Sequence, residues 1–286
     1  MTMGWGPGSR VWRFDGIAFA ISVLVACGFL AAGCGGRAEH AARENHASGA
    51  PRESGSESAT ITWPAPSAEH PPSNDPHFHP RDVTAPSGNF LVNPGFEQGI
   101  SGWMWLEWSE NWGPFEIASG QVATGRLAAH IPAHGSPGER PTRIFGVVQE
   151  IRSVKFPTRI SGRYLVERWD TGVAKKAYVQ VVLIAMIRAG QQPTMQLRYV
   201  LDGMNEAPYH MANARYIVVH PREAPPIGRW IDFSLDVPDD YRRFWGELPP
   251  DGTGYRVLFE ARYDDKAPGE SVALDVWYDD LFVGIP

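Results

Sequence analysis

The chain has 286 residues, a formal net charge of −6 at pH 7 and only two cysteines. The acidic balance, with no Lys/Arg-rich run and no basic patch interleaved with aromatics, excludes the electrostatic footprint of a nucleic-acid binder. Both cysteines, Cys27 and Cys34, lie near the start, which leaves no internal disulfide and no Cys-x-x-Cys zinc spacing in the rest of the chain.

Residues 1–33 have the layout of a bacterial lipoprotein signal. Arg10 and Arg13 give a basic start, 17–30 is apolar, and Leu30, Ala31, Ala32 and Gly33 place small residues before Cys34. Asp15 is an unusual acid for such a start. Cys27, preceded by Leu24, Val25 and Ala26, is a competing lipidation site. Cys34 is preferred because polar Gly35, Gly36 and Arg37 follow it, whereas more apolar chain follows Cys27. An uncleaved anchor is the alternative, since 17–33 is just long enough to span a bilayer. Gly35 in place of an Asp directly after Cys34 favours the outer membrane or cell surface.

Residues 34–86 change composition. They are rich in Ala, Ser, Gly, Pro, Glu and His and poor in aliphatic residues, too little apolar surface to order a chain. The expected structure is a disordered tether with a root-mean-square reach of roughly 40 Å, from ~5–6 Å × √n. It carries His40, His46, His70, His77 and His79, whose spacing in a disordered segment does not build a fixed metal site.

From 87 to 286 short apolar runs alternate with Gly, Pro, Asn and Asp. Strands are expected at 127–132, 144–151, 159–168, 177–187, 197–201, 215–220, 230–237, 255–263 and 271–283. Ile231, Phe233, Leu235 and Val237 oppose Asp232, Ser234 and Asp236. Tyr255, Val257, Phe259, Ala261 and Tyr263 oppose Arg256, Glu260 and Arg262, with Leu258 out of pattern. The stretch 177–187 is almost wholly apolar and reads as a central strand covered on both faces. A short helix is expected at 239–245, capped by Asp239 or Asp240. The stretch 188–214 is irregular, and long loops are where such folds place function. The pattern is an all-β sandwich in one domain.

Two motifs bracket this domain. The first runs from Asn89 through Asn93, Pro94, Gly95, Phe96 and Glu97, with Gly102 and Trp103 close behind. The second is Val276 to Gly284, containing Asp279 and Asp280. Together they resemble the opening and closing strands of carbohydrate-binding modules with the galactose-binding-like jelly-roll fold. The resemblance implies a jelly-roll β-sandwich over 87–286 with Trp103 as a core anchor. It also implies a structural Ca²⁺ held by Glu97 and by Asp279 or Asp280 with backbone carbonyls, an oxygen set of the kind calcium prefers. Its functional implication is glycan binding without catalysis.

The densest chemical signal is the run from Trp103 to Trp112, which holds four of the eleven tryptophans. An indole face matches the C–H face of a pyranose, and neighbouring carboxylates and amides bind its hydroxyls. The candidate sugar-binding residues are Trp105, Trp108 and Trp112 with Glu107 and Asn111, beside Glu110. Trp108 and Trp112 are the better ligand candidates, since Trp105 would share the face of Trp103 on a strand. A second candidate face runs through Arg163, Tyr164, Glu167, Arg168, Trp169 and Asp170, with Trp169 as its aromatic contact. There is no nucleophile elbow, zinc-protease, P-loop or dinucleotide motif, and the acids Glu150, Glu167, Asp170 and Glu260 show no pairing that selects a hydrolase. The expectation is therefore a lipid-anchored, non-catalytic glycan-binding protein of the cell envelope. A structural or adhesion lipoprotein with an envelope protein partner is the alternative, and a glycan hydrolase or lyase is a third.

Overall fold

The computed structural model describes residues 76–286 except 173, 175, 187–193 and 212. The signal segment, Cys27, Cys34 and the tether as far as residue 75 lie outside the described residues.

The chain enters through β1 (Arg81–Val83), β2 (Gly88–Asn89), β3 (Trp112–Gly113) and β4 (Glu116–Ala118), all short. The long strands then follow: β5 (Ala128–Gly135), β6 (Arg143–Ser153), β7 (Arg159–Asp170), β8 (Lys176–Met186) and β9 (Met195–Asp202). Next come β10 (Ala214–Val218), β11 (Trp230–Asp236), the helix α1 (Val237–Trp245), β12 (Gly254–Asp264) and β13 (Val272–Ile285). One sheet has the order β1-β6-β12-β8-β9-β10, with β3 also on β6. The other has the order β11-β7-β13-β5-β4, with β2 also on β13. From β5 to β8 and again from β11 to β13, successive strands alternate between the two sheets, which is jelly-roll winding of a β-sandwich. We call these the first and second sheets.

Strand alternation sets the core. Phe259 of β12 packs on Tyr278 of β13 and Phe233 of β11, with ring centroids 5.7 and 6.5 Å apart. The residues in phase with it, Tyr255, Val257, Ala261 and Tyr263, are likewise buried. The opposite phase, Arg256, Leu258, Glu260, Arg262 and Asp264, therefore points away from the second sheet. Those outward residues are also buried. The first sheet is thus covered on both faces, which explains the nearly all-apolar β8 and the aberrant Leu258. Leu106 and Trp112 lie across Leu258, Val148 and Val182, with Met104, Trp105, Ile144 and Ile184 around them.

Two boundaries differ from expectation. The tether was expected to reach residue 86, but 78–83 pack on the first sheet. Phe78 is buried, β1 runs parallel to β6, and the His79 N–H donates to Glu150 at 2.6 Å. One aromatic and one valine, Phe78 and Val83, suffice to dock a segment whose composition is otherwise polar. The helix starts at Val237, two residues earlier than expected, with Pro238 in its first turn. Proline suits that position because its missing N–H has no partner there anyway.

Candidate functional site

The opening motif acts as a structural knot. Asn93 takes the left-handed conformation at φ 50°, its amide donates to the carbonyls of Gly99 and Ser101, and its carbonyl accepts the Trp103 indole N–H at 2.9 Å. Trp103 sits in the core between Phe96 and Phe259, as the resemblance implied.

Trp105 and Trp112, expected on a sugar platform, instead help cover the first sheet. Trp112 is buried on β3 and Trp105 is half-buried against the same apolar cluster. Burying two indoles on Leu258 and Val148 removes far more apolar surface from water than leaving them exposed for an occasional ligand. Asn111 is half-buried and its backbone carbonyl accepts the Ile144 N–H, while Glu107 is exposed. Trp108 is 37% exposed, but one face is taken by His77, whose ring stacks on it at 4.5 Å and 12°. The Arg256 guanidinium lies 5.6 Å from the centre of the same ring. Trp169 stands apart from this segment, half-buried beside Gly203, whose added Cβ would come within 2.7 Å of the indole. Its expected face does not form either. Tyr164 points into the core, Arg163 pairs with Asp232 and Asp280, Arg168 pairs with Asp170, and Glu167 accepts the Trp277 indole N–H.

The carboxylates expected around calcium accept hydrogen bonds from the chain. Glu97 accepts the backbone N–H groups of Arg126 and Leu127. Asp279, fully buried, accepts those of Ala123, Thr124 and its neighbour Asp280. Asp280 receives the Thr124 hydroxyl and faces Arg163. Calcium requires six to eight oxygen ligands around one point. Here amide donors take Glu97 Oε1 and both oxygens of Asp279, and among the described residues no three His, Cys, Asp or Glu side chains gather to hold a metal. These hydrogen bonds clamp the 123–127 loop to the first motif and the last strand.

A different constellation lies on the outward face of the first sheet, beyond the edge of the tryptophan cover. Register places Arg262 of β12 beside Tyr178 of β8, Glu260 beside Gln180, and Arg198 of β9 beside Tyr216 of β10. Over them lies Tyr209, from the connection between β9 and β10. Its ring centre is 6.5 Å from that of Tyr216, 4.1 Å from the Lys176 ammonium and 5.7 Å from the Arg262 guanidinium. Arg198 lies 5.7 Å from the Tyr216 ring. Beside the two tyrosines is an open depression of about 470 Å³, also lined by His210, Met211 and Arg215.

The floor beneath these rings is buried and polar. Glu260 accepts the Gln180 amide, and Arg262 pairs with Asp264 at 2.6 Å. The Tyr178 hydroxyl, the Gln180 carbonyl oxygen and the Arg262 Nε have no hydrogen-bond partner among the described residues. Burial pushes Glu260 upward from the usual carboxylate range against the pull of Arg198 and Arg262. Burial also raises Tyr178 and Tyr209, so both hydroxyls keep their protons at neutral pH. Buried polar atoms without partners are rare and are commonly completed by water or a ligand. Sequence reasoning missed these residues because they meet only through register across four strands. A local signal was the set of charges inside 255–263, which a strand buried on both faces does not otherwise tolerate.

A titrating cluster marks the outward face of the second sheet. The His130 and His134 Nε2 atoms lie 3.1 and 2.9 Å from one oxygen of Asp275, and Glu116 lies 3.3 Å from the other His130 nitrogen. Trp277 stacks on His130 at 4.3 Å. Burial opposes protonation of His130, but Asp275 and Glu116 outweigh it and raise its pKa from 6.5. Burial likewise opposes ionisation of Asp275, and the two histidines outweigh it and lower its pKa from 3.8. A raised histidine stabilises fully below its unfolded pKa and loses that contribution as pH rises through the folded one. A lowered aspartate stabilises above its unfolded pKa and loses its contribution as pH falls through the folded one. The cluster's contribution is thus greatest between about pH 4 and 6.5 and falls on both sides. Urea midpoints measured across pH are expected to show this, and Asp275→Asn is expected to flatten the alkaline fall.

No family model matches the chain, and no curated protein matches it. Solved structures do. The carbohydrate-binding module TmCBM61, in complex with β-1,4-galactotriose, is 13% identical with a TM-score of 0.35, over 69% of this chain and 98% of that one. The CBM22-1 xylan-binding domain of Paenibacillus barcinonensis Xyn10C is 13% identical with a TM-score of 0.37, over 70% and 96%. The enzymatically active domain of a bacteriophage tailspike protein is 8% identical with a TM-score of 0.37, over 69% of this chain and 21% of that one.

Proposed function

We propose that this chain is a lipid-anchored, non-catalytic glycan-binding protein of the cell envelope, tethered through Cys34, with its binding site at the Tyr209–Tyr216 depression. The observation that supports this most is an open depression walled by two tyrosines together with His210 and Arg215. Rings of this kind take the apolar face of a sugar, while amide, hydroxyl and guanidinium groups take its rim. Carboxylates that a hydrolase would pair are committed elsewhere: Glu150 to Arg256, Glu167 to Trp277, Asp170 to Arg168 and Glu260 to Gln180. A lipid anchor would raise the local concentration of a weak binder at the surface.

Affinity electrophoresis of the full-length chain against a panel of soluble polysaccharides tests this reading. At least one polysaccharide is expected to retard the protein. Tyr216→Ala is expected to weaken that binding at least tenfold, about 1.4 kcal/mol, and Trp108→Ala to change it little. No retardation across the panel would overturn the reading in favour of a protein partner in the envelope. Loss of binding in Trp108→Ala alone would move the site back to the tryptophan run.

A further inference from the structure

The same depression has a charge signature that narrows its ligand, an inference that rests on the glycan-binding reading. The chain as a whole is acidic, at −6. Yet the titratable residues lining the depression are Tyr209, His210, Arg215 and Tyr216, with no carboxylate among them. Against the Tyr209 and Tyr216 rings that line it, Lys176 donates to the Pro208 carbonyl and Arg198 to the Gln196 side-chain oxygen, both neutral acceptors. Arg215 donates to the carbonyls of Met211 and Ala214. The nearby acids are differently placed. Asp264 is buried in its pair with Arg262 and Glu260 is sealed under Gln180, while Asp265, near Tyr209, and Glu206, next to Ala207, are exposed. Arg198 and Lys176 each hold a cation against a tyrosine ring. A sugar packed on the open side or edge of such a ring would bring a pendant anion within reach of the cation.

We infer that the depression takes an acidic glycan, a polysaccharide bearing uronate carboxylates, in preference to a neutral one. The tyrosine rings bind the sugar ring, and Arg198 and Lys176 supply charge-assisted hydrogen bonds to the carboxylate.

The test compares full-length protein on polygalacturonate, on the same polymer with its carboxylates methyl-esterified, and on neutral galactan and xylan. Polygalacturonate is expected to bind at least tenfold more tightly than its ester. That advantage is expected to shrink between about 0.1 and 1 M NaCl, as the screening length falls from about 10 to about 3 Å. Arg198→Gln, checked for folding by circular dichroism, is expected to narrow the gap between acid and ester. The comparison with the ester uses unaltered protein, so a folding defect in the variant cannot decide it. Binding of ester, galactan or xylan as tight as that of polygalacturonate overturns the acidic preference and leaves glycan binding standing. Absence of binding to all four overturns both.

Discussion

Arg256→Ala is expected to lose about 3–5 kcal/mol of stability, the cost of leaving a buried carboxylate unpaired. Arg256 and Glu150 face each other on adjacent strands, and their side chains are 8% and 2% exposed. Glu150 also accepts the His79 N–H, and the Arg256 guanidinium lies near the rings of Phe78 and Trp108. One arginine therefore ties together β6, β12, the entering segment and the tip of the tryptophan cover. Chemical denaturation followed by tryptophan fluorescence measures the loss. The same variant is expected to make the peptide bonds of 76–80 more sensitive to protease, because their anchor is gone. A loss under about 1 kcal/mol would place the pair among weak surface ion pairs and contradict its role as an anchor.

Asp279→Ala is expected to cost about 2–4 kcal/mol. Its carboxylate satisfies three backbone N–H groups, and a buried donor left without a partner costs roughly 1–3 kcal/mol, reduced where the loop can turn to water. Asp279→Asn keeps one acceptor oxygen and is expected to recover part of the loss. Glu97→Ala, at a far more exposed site, is expected to cost under about 1 kcal/mol. Because these carboxylates act as amide acceptors, neither calcium nor a chelator is expected to shift the melting temperature of the unaltered protein. A rise of several degrees with calcium would restore the ion to this end of the sandwich and contradict the clamp.

The parts of this fold that were legible in the sequence are those governed by local periodicity. The alternation in 230–237 and 255–263 located β11 and β12, and the apolar run at 177–187 located the central β8. Trp103 was legible as a core anchor through the Gly-Trp motif it shares with the resembled modules. What was illegible depends on long-range contact. Nothing local to Trp108 shows that His77, in a polar segment expected to be disordered, stacks on its face. Nothing local to Trp112 shows that Leu258, far along the chain, needs covering. Tyr178, Arg198, Arg262 and Tyr216 become neighbours only when β12, β8, β9 and β10 align in register. The out-of-pattern Leu258 was a usable hint, since an outward apolar residue on a buried strand requires something to lie over it. The long irregular stretch before Ala214 was another, and it delivers Tyr209 to the site.

Hydrogen exchange of the full-length protein with and without a bound soluble polysaccharide tests the central claim most directly. The account predicts ligand-dependent protection of β10 and the 203–211 connection beside it, with little change at 104–112. Protection confined to 104–112, or to the outward face of the second sheet around His130, would contradict the assignment of the site.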